Sequence, residues 1–188
     1  MKTFKTLLLA LLVAFTATNI SAQTKQVDAA KSTINWLGKA VTHQHVGTIN
    51  IKSGALVFKK KKLAGGTFTV DMASLTATDV TGEKLTGLNG HLTSDDFFGT
   101  AKFPTATLVF KSLAAKPNGV YTVTADLTIK GITNPITFDL ATTAKTATTS
   151  LKINRAKYDV RYGSGSFFDN LGDKTINDDF ELNVALKF

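Results

Sequence analysis

The sequence predicts an all-β domain: an antiparallel barrel of about eight strands closed on an apolar interior, interrupted by a short helical excursion around residues 82–99. Three observations carry this. In "VYTVTADLTIK" (120–130), Tyr121, Val123, Ala125, Leu127 and Ile129 alternate with Thr122, Thr124, Asp126, Thr128 and Lys130. That period of two belongs to a strand with one apolar and one wet face. The same alternation recurs along the chain, punctuated by hairpin signals such as "KPNG" at 116–119 and "KGITNP" at 130–135. The outer set is rich in Thr, Lys and Asp, and thirteen Phe accompany one Trp and three Tyr. A membrane barrel needs girdles of Trp and Tyr, so the wet face meets water and the apolar face looks inward. A filled two-sheet sandwich satisfies the same alternation. Strands of roughly ten residues favour closure, and eight strands close with room for one small ligand.

Each element follows in chain order. Residues 1–22 read as a secretory signal: Lys2 and Lys5, an apolar run from Leu7 to Phe15, and small residues near Ser21 and Ala22, with cleavage expected after Ala22. The run is too short to span a bilayer as a helix. The folded domain is therefore expected at 23–188. Ile34 and Trp36 flank Asn35 on a first strand. "GALVF" and "GGTFTVDM", the latter placing Phe68, Val70 and Met72 on one face, are strands joined through Lys59 to Lys62. Four lysines at a hairpin tip read as a solvated turn that discourages edge pairing, with contact to anionic lipid heads as the functional alternative. In "GEKLTGLNGHLTSDDFFG", Leu85, Leu88 and Leu92 recur at helical spacing, and Thr93 or Ser94 is placed to cap a second short turn. Pro104 then opens the strand carrying Ala106, Leu108 and Phe110, and Pro135 precedes Ile136, Phe138 and Leu140. Phe180, Leu182, Val184, Leu186 and Phe188 close the chain with the cleanest alternation of all.

Composition excludes several functions. The formal charge is +8, or +6 without Lys2 and Lys5. Nucleic acid is a poor partner for an exported chain without interleaved aromatic and basic residues. There is no cysteine, hence no disulfide, no thiol nucleophile and no lipid-bearing N-terminal Cys. "GSGS" at 163–166 is not a Gly-x-Ser-x-Gly nucleophile elbow, and it lacks the strand-to-helix setting of a phosphate loop. No catalytic residue is assigned, and the chain reads as a non-enzyme. His43 and His45 share a strand face but need a third metal ligand, so they read as hydrogen-bonded residues at a barrel rim. Asp169, Asp173, Asp178 and Asp179 lack the spacing of a calcium loop.

"HLTSDDFFGTAKFPTATLVF" (91–110) and "ADLTIKGITNPITFDL" (125–140) resemble the signatures of the YceI-like family, from about Val27 to the C-terminus. The resemblance implies a lipocalin-like exported barrel with a long apolar tunnel that holds a polyisoprenoid or similar amphiphile, the helical excursion lying against one end. "HVG" at 45–47, His91 with Leu92, Asp96 with Phe97, and Pro104 match the family pattern. Leu88 and Asn89 stand where many members carry Arg-Asp, so no head-group role transfers there. The stretch from Tyr162 to Lys174 is longer than the common pattern, as a lid or partner loop would be.

The expected function is an exported, periplasmic or secreted carrier or scavenger of an isoprenoid-like amphiphile of the polyprenyl or quinone class. Apart from that isoprenoid or fatty amphiphile no cofactor is expected. Each five-carbon unit contributes on the order of 3 kcal/mol of burial before ordering costs, against about 1 kcal/mol for a head-group hydrogen bond, so the tail dominates selection. Alternation places Trp36, Phe68, Val70, Phe110, Tyr121, Val123, Leu127, Phe138 and Phe180 on the wall. His45 and His91 belong near the mouth, and the matched Asp-Phe pair adds Phe97. The rival expectation is a filled structural module acting through Lys59 to Lys62 or the 163–174 loop. Transient membrane contact and a homodimer are compatible with either.

Overall fold

The computed structural model describes residues 22–188; the expected signal segment lies outside them, apart from its last residue. Nine strands follow in order: β1 (Gln23–Gln26), β2 (Thr33–Lys39), β3 (Gln44–Lys59), β4 (Lys62–Ala77), β5 (Thr105–Ala115), β6 (Val120–Ile129), β7 (Ile132–Thr142), β8 (Thr146–Asn154) and β9 (Asp179–Lys187), with helix α1 (Gly82–Thr93) between β4 and β5. All pairings are antiparallel. The sheet runs β3-β2-β9-β8-β7-β6-β5-β4 and returns to β3, so it is an eight-membered closed barrel. β1 adds no stave. β1 and β2 share one edge of β3, at Ala55–Phe58 and Gln44–Ile49, separated by a 3-10 turn at Ala29–Lys31.

The two 16-residue strands β3 and β4 bend to close the barrel. Their register shifts between Thr48 and Asn50, between Ile51 and Ser53, and between Val57 and Phe58. An extra residue on one strand increases twist and reverses alternation beyond it. Inward positions therefore run His45, Gly47, Ile49 and Ile51, then resume at Gly54, Leu56 and Phe58; on β4, Met72 is followed by Leu75 and Ala77. The β3–β4 turn puts Lys60 and Lys61 at φ 49° and 65°. Both are left-handed, which costs an L-residue roughly 1–2 kcal/mol and explains why Asn-Gly is the usual choice for such a hairpin.

Along its axis the interior divides. Where the β3–β4, β5–β6 and β7–β8 turns gather, it is filled by Leu56, Phe58, Leu63, Phe68, Val123, Phe138, Leu140 and Leu186, all buried. Phe110 links Phe68 and Phe138, with ring centroids 5.7 and 6.2 Å away. Its ring lies over Gly66, where a Cβ would come within 2.7 Å of it. Lys25 caps this end, its Nζ 5.1 Å from the centroids of both Phe58 and Phe188. The opposite end carries α1 and the long connection from β8 to β9.

α1 is a weak helix by itself. Gly82, Gly87 and Gly90 lower its propensity, and Thr81 at its N-cap makes no side-chain hydrogen bond. Packing holds it. Asn89 pins it to the end of β4, accepting from the Ala77 N–H at 2.9 Å and donating to Thr76 Oγ1 at 2.8 Å. Thr93 ends this helix and Ser94 caps its C-terminus through the His91 carbonyl at 2.8 Å; the expected short turn follows at residues 95–98, where the Phe97 N–H donates to the Ser94 carbonyl at 3.1 Å.

Candidate functional site

The unfilled half of the barrel is a cavity of ≈ 410 Å³ open toward α1, within the usual size range of small-molecule sites. Its wall is mostly aliphatic: Ile34, Ile49, Val70, Met72, Leu75, Ala106, Leu127, Ile129, Ile153 and Leu182. Trp36 and Phe180 add aromatic surface, and Leu88, Leu92, Phe97 and Phe98 come from α1 and the turn after it. Trp36 lies against Gly47, where a Cβ would sit 2.4 Å from the indole. Its Nε1–H donates to the Thr48 carbonyl at 3.3 Å. The "HVG" glycine is thus a space for the tryptophan ring.

All three histidines border the cavity. His43 and His45 sit with ring centroids 5.3 Å apart. His45 Nδ1 donates to Asp79 Oδ2 at 2.9 Å, joining the start of β3 to the connection into α1. Burial pushes the Asp79 carboxyl up, but hydrogen bonds from His45 and from the backbone N–H groups of Asp79 and Val46 leave it below its ordinary value. Among the described residues no cluster of three His, Cys, Asp or Glu is placed to hold a metal ion. His91, on α1, meets the edge of Tyr162 at 4.2 Å and of Phe97 at 5.6 Å.

The residue that organises the mouth has no motif. Arg155, two per cent exposed, follows β8. Its Nε–H donates to the Asn177 carbonyl, Nη1 to those of Val160 and Tyr162, and Nη2 to that of Ile176, at 2.9–3.1 Å. The guanidinium lies 5.4 Å over the Phe97 ring and 3.6 Å from Asp178. Burial lowers its pKa and Asp178 opposes that, and the group stays charged because its ordinary value lies so high. Both ends of the 159–178 loop are thereby fastened across the mouth, bringing Tyr162, Lys174 and Ile176 onto its rim. Phe167 and Phe168, farther along the loop, are exposed. A lone arginine in "INRAKY" carries no local signature; only carbonyls from both ends of the following loop, five to twenty-two residues on, give it a role.

Of the twelve residues expected at the site, Trp36, His45, Val70, His91, Phe97, Leu127 and Phe180 line the cavity. Phe68, Phe110, Tyr121, Val123 and Phe138 do not: they face inward but lie in the filled half. Tyr121 Oη there accepts from the Leu63 N–H at 3.2 Å. Alternation fixes the face of a strand and not the depth along the barrel. For the same reason the expected through-tunnel is a blind cavity, stopped by the Phe68, Phe110 and Phe138 rings. Leu88, in the place of the family arginine, lines the cavity, whereas Asn89 is structural.

Comparison with known proteins agrees with this architecture. The model of the YceI-like domain matches residues 26–188. A UPF0312 protein of Shewanella denitrificans is 37% identical over 92 residues, 49% of this chain and 46% of the relative; the match thus spans about half the length of that curated relative. The crystal structure of Burkholderia cenocepacia BcnA superposes with a TM-score of 0.65 at 25% identity, covering 86% of this chain and 99% of that one. A polyisoprenoid binding domain from Saccharophagus degradans, implicated in plant cell wall breakdown, gives 0.59 at 19% identity over 89% of this chain and 97% of that one.

Proposed function

The chain belongs to the YceI-like domain family, and on that premise we propose that it binds an isoprenoid-like amphiphile tail-first in the barrel cavity, as an exported carrier or scavenger and not an enzyme. The blind apolar cavity carries this reading. A wall without buried charge below the rim selects for a hydrocarbon tail, because an unpaired polar group there would lose its hydration without compensation. The polyisoprenoid binding of the Saccharophagus domain supports the ligand class.

The volume restricts the tail. At roughly 30 Å³ per water-sized group, ≈ 410 Å³ holds on the order of fourteen such groups, or two to three five-carbon units. A longer polyprenyl or quinone tail would leave its remainder in the mouth beneath α1 and the 159–178 loop. His43, His45, His91 and Tyr162 then offer hydrogen bonds to a head group or to a chain hydroxyl. Leu85 and the exposed Phe168 offer further apolar surface outside.

Trp36 is the only tryptophan and borders the cavity, so its emission reports occupancy. Titration with farnesol is expected to shift that emission saturably, and native mass spectrometry of the gently purified protein to find a bound long-chain lipid. A protein that carries no lipid and whose Trp36 responds to neither farnesol nor geranylgeraniol would sink the reading.

A further inference from the structure

The net positive charge of the described residues gathers at the end of the barrel opposite the mouth. Lys59 to Lys62 at the β3–β4 turn, Lys116 before the β5–β6 turn, Lys145 in the β7–β8 turn and Lys187 at the end of β9 all reach that end, and all are exposed. Asp139 pairs with Lys116 at 2.8 Å. Among the described residues none of the other six meets a carboxylate within ion-pair distance. The mouth is different: Lys157, Arg161 and Lys174 are offset there by Asp159, Asp169 and Asp173.

A further observation bears on this end. Lys60 and Lys61 occupy the left-handed positions of their turn, so charge is held where Asn-Gly would fold better.

We propose that this lysine-rich end docks on an anionic phospholipid bilayer and holds the barrel with its mouth turned away from it. The side chains are lysines and not arginines, compact hydrated charges on flexible stems. That set suits the diffuse field of a charged lipid surface better than a fitted partner. The orientation leaves the mouth free to exchange ligand with the aqueous side or with a second protein. It does not depend on what fills the cavity.

Flotation with vesicles of phosphatidylcholine alone, and of phosphatidylcholine with phosphatidylglycerol, tests the proposal. The protein is expected to partition onto the anionic vesicles and to be released at about 1 M salt, where the Debye length falls to roughly 3 Å. Lys60→Asn with Lys61→Gly relieves the turn while removing two charges. That variant should melt at a higher temperature yet partition roughly thirty-fold more weakly, at about 1 kcal/mol per lysine. Because the chain has no cysteine, Ala144→Cys and Phe168→Cys accept a polarity-sensitive dye at either end. The dye at 144 is expected to respond to anionic vesicles and the dye at 168 to stay silent. Equal partitioning onto both vesicle types, undiminished partitioning of the turn variant, or a response at 168 without one at 144 would each overturn the proposal. Trp36 and farnesol report separately on the cavity, so either idea can fail alone.

Discussion

The filled and hollow halves of the barrel are made from the same eight staves and the same alternation, and differ in the size of what points inward. Toward the β3–β4 turn the inward positions hold Phe68, Phe110 and Phe138, whose rings meet in a row, and Phe58, which meets Phe188. Toward α1 the same strands offer Ile49 on β3, Val70 and Met72 on β4, Ala106 on β5 and Leu127 on β6. Aliphatic side chains of that length stop short of one another in an eight-stranded barrel, while aromatic rings bridge it. Rigidity and capacity are thus separated along one axis. The filled half supplies the core that lets the other half stay empty, and Arg155 supplies the mouth with what packing does not.

The largest expected effect tests that division at its clamp. Arg155→Ala leaves four loop carbonyls and Asp178 without their cation, and removing one member of a buried pair costs about 3–5 kcal/mol. Denaturant unfolding should show that loss, with hydrogen exchange of 159–178 rising most. A cost under about 1 kcal/mol would mean the loop is held otherwise.

Truncation on each side breaks the comparison directly. Phe138→Ala empties space in the filled half and is expected to cost about 3–5 kcal/mol. Leu127→Ala, facing a void that already exists, should cost well below the roughly 2–5 kcal/mol of a packed leucine. Equal penalties would show that the hollow collapses in solution.

Enlargement sharpens it. Leu127→Trp should cost less than the roughly 1–3 kcal/mol typical of an overpacked core, and should abolish the farnesol adduct seen by native mass spectrometry. Retained binding would place the ligand elsewhere.

The smallest effect concerns pH at the rim. Asp79 is held below its ordinary pKa, so its bond to His45 stabilises fully above about pH 4 and is lost as the pH falls through the lowered value. Thermal melts from neutral pH down to about pH 3 should show Asp79→Asn losing part of that acid dependence, with the filled half unaffected. An unchanged acid limb would show that this bond contributes nothing to it.

Much of the fold was legible because a strand repeats every two residues and a helix every three to four: seven of the eight staves, the helix and the Lys59–Lys62 turn follow from spacing, whereas β8 (Thr146–Asn154) was not singled out. The bulges were not legible. Ser53 and Ser74 look like ordinary outer residues, and only the closing of β3 on β4 shifts the alternation beyond them. Of the candidate site, the tryptophan, the histidines and several aliphatic wall residues could be read from parity and from the YceI-like motifs. Phe68, Phe110, Tyr121, Val123 and Phe138 were assigned to the right face at the wrong depth.

The amino-acid sequence by itself determined which side chains turn inward on the strands without bulges and that no disulfide holds them there, because side-chain period and composition are properties of the chain. Tertiary structure alone decided that the barrel is hollow only beneath α1, and that a buried arginine draws a distant loop across the opening. Whether inward side chains meet depends on how residues far apart in sequence share one cross-section, and a linear pattern carries no record of that.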